Sequence, residues 1–323
     1  MAFPNLSDLA ATTIEYRSKD IADNVTQHNA ALLAMKKSGG FSTFDGGTFI
    51  NEHLSFAENG NGGSYSGYDT LPTAAADVIS GAQYSWSQYA VPVTFSGRET
   101  LTNSGKEQLI NLVEARVKVA EATMQNLLNR HFYLDGTGNT GKNITGLAAA
   151  IPLANNLGTY GSISRVTSTF WRNQKYQASV DGGAVAATGT ALINQWNTFV
   201  LGMTRGTDRP KIILASPAVY SLFQSGLQVM QRVSDSSMAD AGFVTTQFQN
   251  IPVVFDTNAA GIGAQSAYFL NTDYMKWRTH KDRNMIALDD KSAVNQDSTV
   301  KTLVWAGNLT MSGPQFSGIY SNT

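Results

Sequence analysis

Hydrophobic positions along this chain change period several times, and each change marks an element. Between residues 105 and 133 they recur at helical spacing: Ile110, Val113, Val117, Ala120, Met124 and Leu127 fall on one stripe, which His131 continues. Ser104 and Glu107 stand in the S-x-x-E relation of a capping box, and Glu114 and Lys118 make an i,i+4 pair on the other side. Asp135-Gly136 ends the run. A helix of this length spans on the order of 40 Å, enough for the spine of a domain. A shorter stripe, Ile21, Val25, His28, Leu32 and Met35, predicts a helix over 18–38 that Gly39 and Gly40 stop.

Between these helices the period is two. Ile50, Leu54 and Phe56 fit an outgoing strand, and Tyr84 and Trp86 a returning one. Val91, Val93 and Phe95 follow after a phase shift that a bulge near Ala90 would absorb. Pro92 places that strand at an edge. The whole stretch 41–98 is expected to be one long, polar hairpin whose Gly- and Asn-rich tip, Glu58 to Gly67, is mobile until bound. A hairpin standing alone is marginal in water, so it is expected to lie on another surface, such as a second copy of the chain.

Residues 190–256 alternate helix and short apolar strand. Leu192, Trp196, Phe199, Val200 and Met203 predict a helix, and Ile212 to Ala215 a buried strand. Ser216-Pro217 then caps a helix with Val219, Leu222, Phe223 and Met230 on its apolar face, before a second strand at Ile251 to Phe255. The remainder is strand-like at 267–270, 275–278, 300–305 and from Leu309 onward. The fold class expected is α+β, with an α/β lobe set into a chain that returns to pack on the 105–133 helix.

Composition narrows the function classes. Charged residues are 15% of the chain against roughly 25% in a typical soluble domain, while apolar residues are 42%. Such a surface suits broad subunit contacts, whose cores are depleted in charge. A net charge of −1 argues against bulk electrostatic binding of nucleic acid. The absence of cysteine removes disulfides, Cys-based zinc sites, iron–sulfur clusters and Cys nucleophiles. No apolar run approaches the roughly 18 residues of a membrane span, and Met1 to Asp20 has no apolar signal core, so no membrane partner or secretory processing is expected.

Gly136 to Gly141 matches G-x-G-x-x-G, but a helix precedes it and none opens after it, so it is expected to be an exit loop and not a phosphate cradle. The four histidines are scattered, Asp289-Asp290 reads as a solvated turn, and no catalytic constellation assembles. No enzyme activity, metal or cofactor is expected.

One charge pattern is informative. The hairpin and its exit hold Asp45, Glu52, Glu58, Asp69, Asp77 and Glu99 with Arg98 as the only base and no lysine, whereas Lys276, Arg278, His280, Lys281 and Arg283 crowd one later strand. Two unrelated solvated faces would explain this, and so would a nucleic-acid contact by the basic strand. The functional reading is that the acidic hairpin lies over the basic strand of a neighbouring copy. On it, Glu52, Glu58, Tyr65, Tyr68, Asp69 and Trp86 meet Lys276, Arg278, Lys281 and Arg283.

The order of elements resembles the HK97-type major capsid proteins of tailed bacteriophages. The carriers are Gly39 to Phe95 as the extended E-loop, Ser104 to Asp135 as the spine helix and Gly136 to Leu147 as the exit loop. Trp171-Arg172-Asn173, the run Ile212 to Phe223 and Met311 to Phe316 add local likeness. The resemblance implies an N-terminal arm (1–40), an E-loop (41–98), a peripheral domain (99–185 and 268–323) and an α/β axial domain (186–267). It implies pentamers and hexamers in an icosahedral virion head, assembled in the host cytoplasm, that encloses double-stranded DNA held by proximity alone. Portal and scaffold are implied partners, and a decoration protein is left open. Only about 40 residues precede the E-loop, so a separate scaffolding protein is expected. Its lack of lysine predicts no isopeptide cross-link from the E-loop. Another virion module, such as a tail or adhesin component, is the alternative, and a hydrolase built in the α/β lobe comes third.

Overall fold

The computed structural model describes residues 30–102, 106–227, 246–256, 263–289, 291–292 and 296–323. Helix α1 (Ala30–Lys37) ends where expected: Gly40 N–H reaches back to Met35 O at 2.8 Å, and Gly39 takes the left-handed φ of +71° that this closure requires. The earlier part of its stripe, Ile21 to His28, lies outside the described residues.

Two sheets organise the chain. The first is built on β14 (Ser298–Met311), which unites the two strands expected at 300–305 and from 309. On one side β14 pairs antiparallel with β12 (Met275–Ala287), and β1 (Phe41–Phe44) joins β12 in parallel, Phe41 opposite Trp277. On the other side lies β4 (Ser87–Ser96), in register with β14 from Ser96↔Ser298 to Ser87↔Gly307. The two-residue β13 (Lys291–Ser292) pairs with the start of β14.

That pairing corrects the reading of 41–98 as one hairpin. Only β2 (Ile50–Ser55) and β3 (Ile79–Tyr84) form the hairpin, with Ile50 opposite Tyr84. The phase shift after Trp86 is a change of sheet: β4 leaves the hairpin and pairs with β14 without a bulge at Ala90. The register breaks fall instead in β12, between Thr279 and Asn284 and between Asn284 and Ile286. Pro92 does sit on an edge strand: among the described residues β4 pairs with β14 alone.

The spine helix α3 (Lys106–Tyr133) crosses this sheet and follows a short helix, α2 (Gly97–Thr102). Ser104 and the side chains of residues 100–115 lie outside what is described, so the expected Ser104–Glu107 box is not placed. From Val117 on, the buried stripe runs Val117, Ala120, Met124, Leu128 and Phe132, stepping mostly by four where Leu127 and His131 were expected. Val117 and Ala120 pack on Val93 and Phe95 of β4, while Phe132 meets Trp277, which itself packs on Trp305.

The second sheet orders β7 (Gln174–Gln177), β15 (Gly318–Ser321), β11 (Ser266–Leu270), β8 (Ile212–Ala215), β10 (Ile251–Phe255) and β9 (Thr246–Phe248). Helices α4 (Gly189–Met203) and α5 (Pro217–Leu227) pack with it. Thr188 caps α4 by accepting from Ala191 N–H, and Ser216 caps α5 by accepting from Val219 N–H. Glycines let the two helices touch: a Cβ on Gly189 would fall 2.1 Å from Gly226 N. Trp196 is fully buried at the centre, stacked on Phe223 and edge-on to Phe248 and Phe269. β11 spans the boundary expected at residue 267, and the last strand, β15, lies in this sheet, so the C-terminus ties the α/β lobe to the rest of the chain.

Candidate assembly surface

The hairpin divides into a pinned base and a bare arm. At the base, Ile50, Leu54, Ala82 and Tyr84 are buried against the main core, and Phe56 stacks on Phe170 with ring centres 4.9 Å apart. Tyr84 O–H donates to Met311 O at 2.7 Å, and burial raises its pKa well above the ordinary tyrosine value, so it acts as a fixed neutral donor. Glu52 receives Arg278 bidentately, Nε to Oε1 at 2.7 Å and Nη2 to Oε2 at 3.0 Å, and also accepts from Thr310 Oγ1 at 2.8 Å. Arg278 further donates to Ser42 Oγ at 2.8 Å. The stub of the arm is thus bolted to β1, β12 and β14 of its own chain.

Part of the charge pattern read from sequence is met within the single chain. The strongest acidic–basic match, Glu52 with Arg278, is made within one chain. Lys276 Nζ donates to Gly39 O at 2.9 Å, and Lys281 lies 3.6 Å from Asp45. Trp86 also turns inward: its indole N–H donates to Gly47 O at 2.8 Å and its ring packs against Phe44 and His280. Glu99, counted with the acidic hairpin, pairs with Arg116 of α3 at 2.5 Å. That guanidinium, followed by the Ser96 N–H, holds its carboxyl down at about 2. Ser96 and Glu99 exchange hydrogen bonds as a reciprocal cap on α2, Ser96 N–H to Glu99 Oε2 at 3.2 Å and Glu99 N–H to Ser96 Oγ at 3.3 Å. The signal for it, S-x-x-E at 96–99, stands in the sequence one box before the one that drew attention.

Beyond the base, residues 57–77 are almost wholly exposed and carry no helix or strand. Tyr65 is 68% exposed, Tyr68 fully exposed and Leu71 52% exposed, with Ile79 standing out where the arm rejoins β3. Glu58 and Asp69 are exposed with them. Local turns shape the tip: Ser66 N–H donates to Asp69 Oδ2 at 2.8 Å, and Asn61 Nδ2 donates across the arm to Ala74 O. Single exposed apolar residues are ordinary, and here Tyr65, Tyr68 and Leu71 stand within seven positions of one another. Of the ten residues singled out, Glu58, Tyr65, Tyr68 and Asp69 share this arm, and Arg283 is exposed on β12.

The other candidate features resolve as structure. Gly136 to Gly141 forms the turn leaving α3, with Asn139 and Thr140 in left-handed conformations, and no strand–loop–helix frame surrounds it. Gly146 fits there because a Cβ would strike the carbonyls of His131, Phe132 and Leu134. His131 Nδ1 lies 2.8 Å from Tyr89 Oη, and burial lowers its pKa. Among the described residues no group of three or more His, Cys, Asp or Glu could hold a metal ion, and no helix is long and apolar enough to cross a membrane.

No protein-family model and no curated protein sequence matches the chain. Solved structures do. A chain of the cyanophage A-1(L) capsid asymmetric unit superposes with a TM-score of 0.64 at 19% identity, over 90% of this chain and 92% of that one. The capsid of Myoviridae phage XM1 matches with a TM-score of 0.55 at 15% identity, over 88% and 90%. A chain from Mycobacterium phage Bobi gives 0.56 at 14% identity, over 89% of each. At such identities the likeness speaks for the fold alone, and it covers about nine tenths of the chain. This chain has the HK97-type fold of bacteriophage capsid proteins over nearly its whole length.

Proposed function

We propose that this chain is the major capsid protein of a tailed bacteriophage, assembling as pentamers and hexamers into an icosahedral head that encloses double-stranded DNA. The observation that carries the reading is the arm: a well-anchored projection whose Tyr65, Tyr68 and Leu71 stay exposed among the described residues, within a fold seen in phage capsids. Its work is mechanical. Many weak contacts, repeated by symmetry, bury apolar area and add edge strands between subunits. The arm would reach over an adjacent subunit through Tyr65 and Tyr68, with Glu58 and Asp69 at the margin facing cations such as Arg283. A tail or adhesin role finds no support in a fold built on a 28-residue spine helix.

In this reading the chain is not an enzyme. A portal and a separate scaffolding protein take part in assembly in the host cytoplasm, and packaged DNA is held by enclosure. The hairpin stretch 41–98 holds no lysine, so the grip of the arm is non-covalent. Sedimentation and negative-stain microscopy of the expressed chain, alone and with a scaffold, test the proposal: capsomers, sheets or shells are expected, and a monomer under every condition overturns it. Heating the particles in SDS tests the non-covalent grip, where a ladder of multimers would refute it.

A further inference from the structure

The arm tip carries a chemical peculiarity that shell formation does not explain. The sequence contains two Asn-Gly steps, and both lie there, Asn59-Gly60 followed directly by Asn61-Gly62. We propose that Asn59 is a site of spontaneous amide-to-acid conversion that recasts the charge of the arm tip.

The chemistry needs only water. The backbone nitrogen of Gly60 loses its proton to solvent and attacks Cγ of Asn59. An N–Cγ bond forms, the Cγ–Nδ2 bond breaks, and the nitrogen leaves as ammonia. Water then opens the five-membered imide at either carbonyl, giving aspartate or its β-linked isomer. Nothing is oxidised or reduced. A residue with a Cβ after the asparagine would crowd the attacking nitrogen, and glycine does not.

The geometry favours Asn59 over Asn61. Both Asn59 and Gly60 are exposed, so water reaches the reacting atoms. Asn59 Oδ1 accepts the N–H of Asn61 at 3.0 Å, an Asx turn that folds the side-chain carbonyl back along its own backbone and polarises Cγ. The leaving Nδ2 of Asn59 has no hydrogen-bond partner among the described residues. Asn61 differs on both counts: it is half-buried, and its Nδ2 is held by Ala74 O on the returning side of the arm. Conversion at Asn59 adds a carboxylate beside Glu58 on an arm tip that also carries Asp69, and so makes an already acidic tip more repulsive to any acidic surface.

The test follows the peptide spanning 58–63 by mass spectrometry, in the folded chain and in chain unfolded by urea, both held at mildly alkaline pH. In the folded chain Asn59 is expected to convert ahead of Asn61, and unfolding should erase that order. Gly60→Ala is the control, because a Cβ there meets nothing within 4 Å and Gly60 has no left-handed φ, so the variant keeps the turn. It should lose the Asn59 product and leave Asn61 unchanged. The proposal is overturned if the folded chain keeps Asn59 intact while unfolded chain converts it, if Asn61 leads, or if Gly60→Ala converts as fast as the natural sequence. None of these outcomes depends on whether the chain forms shells.

Discussion

The α/β lobe and the arm both spend aromatic side chains, in opposite ways. In the lobe, Trp196 touches Phe223, Phe248, Phe269 and Tyr320 and is wholly buried. On the arm, Tyr68 is fully exposed and Tyr65 is two-thirds so. Aromatic rings dominate the energetics of cores and interfaces alike. The lobe has made its contacts within one chain, whereas the arm leaves its rings in solvent. Between them lies the arm base, where Glu52 and Arg278 join the projection to the sheet with 12% and 21% of their side chains exposed.

Four variants separate these regions by their effect on the stability of the single chain. Trp196→Ala empties the centre of the lobe and is expected to cost about 3–5 kcal/mol in urea unfolding. A loss below about 1 kcal/mol would mean that the lobe does not rely on this packing. Glu52→Gln leaves Arg278 half-answered in a largely enclosed site and is expected to cost about 2–3 kcal/mol. An unchanged midpoint would show that the arm base is not pinned by this pair.

Glu99→Gln should have a smaller, pH-dependent effect. The folded pKa of Glu99 lies below its ordinary value of 4.5, so its pairing with Arg116 stabilises in full above that value and fades as pH falls toward about 2. The difference in thermal midpoint between variant and natural chain should therefore be present at neutral pH and close over that acid range. A difference that grew on acidification would contradict the pairing.

The smallest effect on stability belongs to the arm. Tyr65→Ser with Tyr68→Ser should leave the unfolding midpoint within about 0.5 kcal/mol, as expected for exposed positions. Particle formation measured by sedimentation should fall sharply. Equal assembly by the double variant would remove the arm from the subunit contact, and a large loss of stability would mean that these rings already pack on their own chain.

The lobe was readable because its signals are local. Ser216-Pro217 announces α5, the run Ile212 to Ala215 is apolar on both faces as a central strand must be, and Trp196 keeps helical phase with Phe199 and Met203. The arm was readable as a projection for the same reason: its Gly- and Asn-rich tip has few residues that could form a core of its own. What misled was pairing. Val91, Val93 and Phe95 alternate correctly for a strand, yet no local feature says whether that strand pairs with residue 50 or with residue 300. Two alternating runs with a phase slip between them look like one bulged hairpin, and they are two strands in two sheets.

Charge shows the same limit. Glu52 and Arg278 are 226 positions apart, and composition marked them as complementary without telling whether one chain or two would bring them together. Sequence alone determined the spine helix, the helices and central strands of the lobe, the caps at Gly39 and Ser216, the exposed arm and the absence of cysteine chemistry, because these depend on a residue and its near neighbours. Tertiary structure alone decided that β4 belongs to β14, that the last strand lies inside the α/β sheet between β7 and β11, and that the arm's acidic base is answered at home. Strand partners and ion pairs are fixed by which surfaces meet when the whole chain buries its apolar area, and that is a property of the fold and not of any window along it.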